Sequence, residues 1–311
     1  MLYNETINIV CAVDDAYSMP LAVTLRSVLQ NINDQQKINF FVIDGGIRPK
    51  NKQKIIQSLS FRPFTIDWLK PCTKLLANAK VSGHVSIATY FRILIPEIIP
   101  NDIKKIIYLD CDLLVLNNIG KLWNIDMGEA PLLACQEVGI PYVSSDSGLL
   151  NYQKLRIPEN SKYFNAGVLL INLEKWRSEG ISAKVIDYLD VNKDYIRWWD
   201  QDALNAIFAQ RWKELDHRWN QTPAIHSFKS WKDSPLTQDK YELLLNDPFI
   251  VHFASCFKPW NSTEHHPAND LFFEYVDLTA WAGWRYNVLR QYKNKFAKKA
   301  NEIKTFLKVQ H

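Results

Sequence analysis

The stretch from Ile106 to Val115 constrains the fold more than any other part of this sequence. It reads Ile-Ile-Tyr-Leu-Asp-Cys-Asp-Leu-Leu-Val, so apolar residues flank two carboxylates at positions i and i+2. An apolar run of this kind predicts a buried parallel strand whose end carries the charge, and ionised carboxylates are seldom buried unless they are paired or metal-bound. Because residues two apart in a strand point to the same side, Asp110 and Asp112 are expected to hold a divalent cation together.

The same spacing also arises by chance, since Asp200-Gln201-Asp202 repeats it later in the chain. What distinguishes Asp110 and Asp112 is their apolar surroundings, because a solvated acidic surface would not lie within an apolar strand. From this local context alone, a metal site and a chance pair both stay open.

The residues around this stretch predict a parallel sheet. Strand patterns over residues 7–13, 38–44 and 64–69 alternate with helix patterns over residues 18–31 and from Pro49 onwards. Such β-α-β-α-β spacing is typical of a parallel α/β sheet, in which ligands bind at the carboxyl ends of the strands. Asp14 and the Asp110–Asp112 pair are therefore expected at one edge. Further strands are expected over residues 132–138, 163–173 and 249–253, and helices over residues 86–99, 174–189 and 199–210.

The composition narrows the classes of function. A chain of 311 residues with 47% hydrophobic and 23% charged residues suits one large globular α/β domain or two smaller ones. A formal charge of +4 is too small to indicate a nucleic-acid partner. The ten glycines form neither G-x-G-x-x-G nor a P-loop, so a bound phosphate would need another neutralising group.

The cysteines and the first residues bear on the compartment. Five cysteines lie far apart without a C-x-x-C pair, which favours a reducing environment. The segment Met1-Leu2-Tyr3-Asn4-Glu5 lacks the basic and apolar regions of a signal peptide. We therefore expect a cytoplasmic protein.

The character of the sequence changes near its C-terminal end. We divide it into a catalytic domain over residues 1–275 and a tail over residues 276–311. From about Trp281, apolar residues recur at helical spacing between lysines and arginines, which predicts a basic amphipathic helix. Two interpretations are open: the helix docks on its own domain, or it makes a peripheral contact with the inner face of the membrane.

Six separated segments resemble, in order, the motifs of glycosyltransferase family 8, which includes bacterial lipopolysaccharide galactosyl- and glucosyltransferases and glycogenin. The segments cover residues 9–17, 84–92, 108–112, 163–168, 199–205 and 252–260. Six ordered motifs are far more specific than one Asp-x-Asp. The resemblance implies a GT-A (Rossmann-like) fold, with a mostly parallel central sheet flanked by helices, and a retaining, metal-dependent transfer from a UDP-hexose.

The resemblance also implies a ligand set for the cation. Asp110, Asp112 and the distant His252 match the metal-binding positions of the family. Oxygen ligands with one imidazole suit Mn²⁺, with Mg²⁺ as a weaker substitute. Such a cation would neutralise the diphosphate leaving group. Lys258 matches a position that contacts the same diphosphate, although outside this motif a lysine would ordinarily be a solvated surface residue.

The remaining matches concern the substrates. Ala12, Asp14 and Tyr17 are expected to hold uridine, with Tyr17 stacking on the base. Other residues that match family positions around the phosphates and the donor sugar are His84, Arg92, Cys111, Asn165, Ala166, Asp200 and Gln201. Glu137 stands on the acceptor side where galactosyltransferases of the family carry aspartate. This departure leaves the acceptor undetermined.

Retention of configuration leaves two mechanisms open. A carboxylate nucleophile is usual, and Asp200 could serve, but the resemblance places the amide of Gln201 at that position. In the alternative front-face reaction, the leaving phosphate deprotonates the acceptor and Gln201 stabilises positive charge. The expected function is transfer of galactose or glucose from a UDP-sugar to a hydroxyl of a glycan or lipid-linked saccharide. A catalytically silent nucleotide-sugar binding protein and a glycogenin-like self-glucosylating protein are the alternatives.

Overall fold

A computed structural model describes residues 6–76, 86–262, 264 and 266–287 of the chain. The strands in these ranges are β1 (Ile7–Val13), β2 (Ile38–Asp44), β3 (Thr65–Leu69), β4 (Lys105–Leu109), β5 (Leu113–Val115), β6 (Leu132–Gln136), β7 (Phe164–Asn172), β8 (Lys213–Glu214) and β9 (Ile250–His252). The α-helices are α1 (Ser18–Gln30), α2 (Pro49–Leu59), α3 (Ile95–Ile98), α4 (Gly120–Trp123), α5 (Leu173–Ser178), α6 (Ile181–Val191), α7 (Trp199–Phe208), α8 (Gln238–Asn246) and α9 (Asn269–Asp277).

Most of these strands form one twisted sheet. Its order across the described residues is β3-β2-β1-β4-β7-β6-β8. The neighbours from β3 to β4 run parallel, β7 runs antiparallel to both β4 and β6, and β8 runs parallel to β6. The predicted α/β architecture with a mostly parallel central sheet is therefore confirmed.

The strand predicted to close at the two carboxylates forms as β4, which ends at Leu109, directly before Asp110. The chain leaves the central sheet after Leu109, and β5 instead pairs antiparallel with β9 in a separate two-stranded sheet. The amide of Asp110 makes a last bond to Gly167 O at 2.8 Å, and that of Leu113 bonds the Thr24 hydroxyl at 3.2 Å. Asp110-Cys111-Asp112 thus links two sheets, and the pairing of Leu113 with His252 brings that histidine to the link.

Helices cover both faces of the central sheet. One apolar cluster packs α1, α2 and α4 against one face, and a second packs α3, α5, α6 and α7 against the other. In β1, Ile9 and Cys11 face the first cluster and Val10 the second, because alternate strand residues point to opposite sides. This two-sided burial explains the nearly continuous apolar sequence of the parallel strands.

Two of the predicted helices form differently from the expectation. Residues 86–99 form a 3-10 helix over Ile87–Leu94 followed by the short α3, which contains Pro96 near its start. The predicted helix over residues 174–189 is divided between α5 and α6 by Gly180, whose φ of 61° lies in the left-handed region. The helices predicted near residues 18–31 and 199–210 form as α1 and α7.

The last described segments pack on the body of the protein. In α9, Phe272 and Val276 contact a cluster that includes Val23 of α1, and Trp281 and Trp284 lie against the same cluster. The division at residue 275 stays a prediction. Most of the predicted basic helix, from residue 288 onwards, lies outside the described residues. Where the structure describes the chain, it contains no helix with the length and apolar character needed to cross a bilayer.

Candidate active site

Asp110, Asp112 and His252 converge where the link between β4 and β5 meets the end of β9. The Nε2 atom of His252 lies 3.2 Å from Asp112 Oδ1 and 3.8 Å from Asp110 Oδ2. One ligand atom from each residue lies within 4.8 Å of the others. Two carboxylate oxygens and an imidazole nitrogen suit Mn²⁺ or Mg²⁺, so the three predicted ligands fit a divalent cation.

Lys258 lies against this cluster and is not a solvated surface lysine. It is only 5% exposed, and its ammonium group donates to Asp112 Oδ2 and to the carbonyl of Phe253. Although burial acts in the opposite direction, Lys258 and His252 hold the pKa of Asp112 well below its usual range. Asp112 is therefore ionised at neutral pH, as a metal ligand must be.

Arg92 connects the metal cluster to the start of α7. Its guanidinium lies 3.2 Å from Asp110 Oδ1 and 2.7 Å from Asp200 Oδ2, and it stacks over the Tyr108 ring at 4.8 Å. Although burial opposes this, the carboxylates of Asp110 and Asp200 raise the pKa of Arg92 above its already high value. Tyr108 donates its hydroxyl to Asp110 Oδ1 at 2.8 Å. These contacts occupy Oδ1 of Asp110 and leave Oδ2 facing His252.

The first turn of α7 presents Asp200 and Gln201 to the same region. The preceding Trp199 has a φ of 50°, a left-handed conformation that is strained for a bulky residue and often marks a functional turn. Gln201 accepts from the amide of Ala166 at 2.9 Å and donates to the Tyr163 hydroxyl at 3.3 Å. Burial raises the pKa of Asp200 to about 7, against the opposing effect of Arg92.

Behind His252 lies a set of buried polar residues. Asn220 Oδ1 lies 2.9 Å from His252 Nδ1, and Asn220 Nδ2 donates to Asn165 Oδ1 at 2.9 Å. Asn165 in turn donates to Glu137 Oε2 at 2.7 Å. The structure therefore places Asn165 and Glu137, which were predicted as donor and acceptor contacts, next to each other beneath the metal cluster.

The residues predicted for uridine lie at the end of β1, next to Asp112. Ala12 O accepts from the Cys111 thiol at 3.3 Å, which ties β1 to the Asp-Cys-Asp link. Asp14 Oδ1 accepts from the Ala16 amide at 3.0 Å and so caps the short helix Asp15–Tyr17. The Tyr17 ring packs edge-on against Trp260 at 5.9 Å. Burial, with the negative charge of Asp112, raises the pKa of Tyr17, so its phenol is protonated.

One predicted residue cannot be placed, and two others were missed from the sequence. His84 lies outside the described residues. Gly167 was not singled out, yet a Cβ at this position would lie 2.3 Å from His252 Cε1 and 2.9 Å from Asp110 Oδ2. Its place in the segment Asn165-Ala166-Gly167 was the available signal. Asn220 carries no charge and no characteristic spacing, so nothing in the sequence identifies it.

Comparison with known proteins agrees with this geometry. The family described as glycosyl transferase family 8 matches residues 8–264. The chain therefore belongs to glycosyl transferase family 8.

Two curated relatives show how far the similarity extends. General stress protein A of Bacillus subtilis is 34% identical over 284 residues, which is 90% of this chain and 96% of that protein. A lipopolysaccharide 1,2-glucosyltransferase of Escherichia coli is 23% identical over 280 residues, covering 89% of this chain and 80% of that protein. Both alignments span about nine tenths of this chain.

A solved structure gives the same answer for the fold. The galactosyltransferase LgtC, crystallised with donor and acceptor sugar analogues, aligns with a TM-score of 0.75 and 30% identity over 87% of this chain and 95% of that one. The GT-A fold expected from the resemblance is thus confirmed. The chain is a glycosyltransferase by family and fold, with an Asp-Asp-His site suited to the divalent metal that such enzymes typically use.

Proposed function

We propose that this protein is a retaining glycosyltransferase that moves galactose or glucose from a UDP-hexose to a hydroxyl group of a glycan or lipid-linked saccharide, with Mn²⁺ as its cation and Mg²⁺ as a substitute. The observation that carries the proposal is the cluster of Asp110, Asp112 and His252, whose ligand atoms lie within 4.8 Å of one another. The similarity to a lipopolysaccharide glucosyltransferase and to a galactosyltransferase supports the choice of substrate class.

Each group of residues has a role in this proposal. Asp110, Asp112 and His252 hold the cation, which when bound neutralises the diphosphate leaving group as a Lewis acid. Lys258, already fixed to Asp112, adds a second positive charge beside the diphosphate. Uridine lies against Ala12, Asp14 and Tyr17, and Cys111 lies between these residues and the metal ligands.

The contacts of Asp200 and Gln201 favour a front-face reaction. Asp200 is 1% exposed and its Oδ2 lies 2.7 Å from Arg92, so its carboxylate is poorly placed to attack a sugar. Gln201 is held by the Ala166 amide and Tyr163. In the reaction, the bond from the anomeric carbon to the phosphate oxygen breaks, and the acceptor oxygen bonds to the same face. The acceptor proton passes to the leaving phosphate, while Gln201 stabilises positive charge on the sugar.

The direct test measures UDP release from UDP-glucose and from UDP-galactose with Mn²⁺, first without an acceptor and then with simple sugars. We expect turnover of one donor, and a loss of at least about a hundredfold in Asp112→Ala because one metal ligand is removed. Asp190→Ala is the control, since Asp190 is exposed and pairs with Lys193 at 3.5 Å. An α-linked product, identified by its anomeric coupling constant, would establish retention.

Other outcomes would replace the proposal. Binding of Mn²⁺ and UDP without turnover of either donor would indicate a different donor sugar or the catalytically silent binding protein. Stepwise hexose additions to the intact mass of the protein would indicate self-glucosylation. Equal turnover by Asp112→Ala and the wild type would contradict the metal site.

A cytoplasmic location with a peripheral membrane contact stays a prediction from the sequence. The basic tail is expected to bind anionic lipid through its lysines and arginines. Co-sedimentation with liposomes should then be lost when the chain is truncated after residue 287, the last described residue. Unchanged binding by the truncated protein would contradict this role of the tail.

A further inference from the structure

The two ring nitrogens of His252 face different surroundings. Nε2 faces the carboxylates of Asp112 and Asp110, at 3.2 and 3.8 Å. Nδ1 lies 2.9 Å from Oδ1 of Asn220, on the opposite side of the ring. A histidine can offer a lone pair from Nε2 to a cation only if its ring proton is on Nδ1. What holds the proton on Nδ1 therefore bears on metal binding.

The orientation of the two amides behind His252 follows from a backbone group. The Gly167 N–H, which can only donate, bonds to Asn165 Oδ1 at 2.8 Å. On its other side, Asn165 donates from Nδ2 to the carboxylate of Glu137 at 2.7 Å. Glu137 can only accept when ionised, so both contacts assign the same orientation to the Asn165 amide.

The orientation of the Asn165 amide fixes that of Asn220, which contacts His252. Because Asn165 presents its oxygen, Asn220 must donate from Nδ2, at 2.9 Å. The oxygen of Asn220 then faces Nδ1 of His252, and an amide oxygen only accepts. Nδ1 must therefore carry a proton, so Nε2 is the ring nitrogen that can give its lone pair to a cation held by the two carboxylates.

The chain of hydrogen bonds is well enclosed. Glu137, Asn165, Asn220 and His252 are between 3% and 8% exposed. Glu137 is itself held by the Thr222 hydroxyl and the Gly139 amide, both at 3.1 Å. Reversing Asn165 would leave its Nδ2 facing the Gly167 N–H, and reversing Asn220 would leave its Oδ1 facing Asn165 Oδ1. Like groups that face each other are costly when water cannot reach them.

We propose that Asn220 is a positioning residue for the metal site: through Asn165 and Gly167 it holds the proton of His252 on Nδ1 and presents Nε2 to the cation. This inference rests on the proposed function, because that function requires a divalent cation at His252. Asn220 touches neither the cation nor the substrates in this scheme. It acts through the orientation of the histidine, as outer partners of metal ligands commonly do.

The first arm of the test measures Mn²⁺ affinity by calorimetry in the presence of UDP. In Asn220→Leu we expect affinity to fall by roughly 10- to 100-fold, the usual effect of removing an outer partner. Asn220→Asp keeps an acceptor for the Nδ1 proton but cannot donate to Asn165. We expect this variant to lose thermal stability and yet retain affinity within a few-fold of the wild type, which a purely structural role would not predict.

Asn151→Leu is the matched control. Asn151 is 3% exposed and makes hydrogen bonds to Asn192 and Tyr188, both at 3.0 Å. The Asn151→Leu variant therefore loses buried hydrogen bonds comparable to those lost in Asn220→Leu. Asn151 takes no part in the chain behind His252. Its variant should be less stable with unchanged Mn²⁺ affinity. Wild-type affinity in Asn220→Leu, or an equal loss of affinity in Asn151→Leu, would overturn the proposal.

The second arm reads the proton directly in the metal-free protein at neutral pH. Long-range ¹H–¹⁵N spectra distinguish the two ring nitrogens, and the His252 signals are identified by their absence in His252→Gln. We expect a proton on Nδ1 in the wild type and in Asn220→Asp, and its loss or redistribution in Asn220→Leu. A wild-type His252 protonated on Nε2 alone would overturn the inference. Absence of Mn²⁺ binding by the wild type would instead overturn the proposed metal site, so the two failures are distinguishable.

Discussion

Two Asp-x-Asp segments occur in this chain, and the structure gives them different roles. Asp110 and Asp112 turn toward the same histidine, His252, and form a candidate metal site. Asp200 and Asp202 diverge: Asp200 pairs with Arg92, while Asp202 Oδ2 accepts from the amide of Trp198 at 2.8 Å. The spacing alone therefore does not define a metal site.

The backbone explains the difference. Asp110-Cys111-Asp112 lies outside any helix, in the link between two strands, where side chains two residues apart can point to one side. Asp200 and Asp202 lie in the first turn of α7. In an α-helix, residues two apart are separated by about 200° around the axis and cannot share a ligand. A carboxylate pair at this spacing therefore cannot hold one cation from within a helix.

The charges of the two pairs differ as well. At Asp112, burial acts to raise the pKa, but Lys258 and His252 outweigh it. The pKa of Asp112 therefore lies below the usual range. At Asp200 burial prevails over Arg92 and raises the pKa to about 7, with Asp110 adding to the effect. Asp112 is thus held in its ionised form, whereas Asp200 can hold a proton near neutral pH.

The largest expected effect is a difference in metal affinity between variants of the Asp110–Asp112 pair and variants of the Asp200–Asp202 pair. Asp112→Asn keeps the side-chain shape but weakens one ligand, so we expect Mn²⁺ affinity in the presence of UDP to fall by at least about a hundredfold. Asp202→Asn is the matched control and should bind Mn²⁺ within about twofold of the wild type, because an asparagine oxygen can still accept from the Trp198 amide. Titration calorimetry measures both. Equal losses would mean that the second segment also serves the cation.

A second prediction concerns pH and stability. Asp200 keeps its proton in the folded protein up to about pH 7, whereas an unfolded aspartate loses it near pH 4. Folding therefore binds a proton in this window, and the contribution of Asp200 to stability falls as pH rises through it. We expect the free energy of unfolding of the wild type, relative to Asp200→Asn, to decrease between pH 5 and 7. The slope should approach about 1.4 kcal/mol per pH unit at most.

Urea denaturation at several pH values measures this slope. Asp112→Asn is the comparison variant, for which no such slope is expected. The pKa of Asp112 is lower in the folded protein than in the unfolded chain. The stability that Asp112 contributes is therefore complete above the pKa of an unfolded aspartate and is lost only in more acidic solution. The difference between the wild type and Asp112→Asn should therefore be flat from pH 5 to 7. A flat difference for Asp200→Asn as well would contradict the raised pKa.

The smallest expected effect concerns Lys258, which bonds Asp112 of the Asp110–Asp112 pair. Its ammonium group bonds Asp112 Oδ2, so its positive charge lies beside the site that the cation would occupy. Lys258→Met should therefore strengthen the binding of Mn²⁺ alone, yet weaken the binding of UDP with Mn²⁺ by removing a charge from the diphosphate site. Changes of roughly tenfold in each direction match a charge-assisted hydrogen bond.

Lys52→Met is the control for these two affinities, which are expected to change in opposite directions in Lys258→Met. Lys52 pairs with Asp44 at 2.5 Å and lies over Trp68, so the substitution removes a comparable partly buried ion pair. Neither affinity should change in that variant. Calorimetric titrations with Mn²⁺ alone and with UDP provide both values, and shifts of the same sign in Lys258→Met would contradict its proposed position.

Much of the architecture was predictable because the parallel strands are apolar on both faces. The strands over residues 7–13 and 38–44 form with the predicted bounds, as do helices at Ser18 and Pro49. The break in the Ile106–Val115 stretch was not predictable from periodicity. Leu113 and Leu114 are as apolar as Ile106 and Ile107, and only pairing with β9 shows that they belong to another sheet.

The sequence by itself determined the α/β class, the family resemblance and the candidate ligands Asp110, Asp112 and His252, because these depend on local patterns and ordered motifs. Only the tertiary structure decided that Asp200 and Asp202 diverge, where Lys258 and Arg92 direct their charges, and that Asn220 lies against His252. Those features depend on contacts between residues far apart in the chain, 146 positions for Lys258 and Asp112 and 32 for His252 and Asn220. No local pattern encodes such distances, since they arise when separate strands and helices pack together.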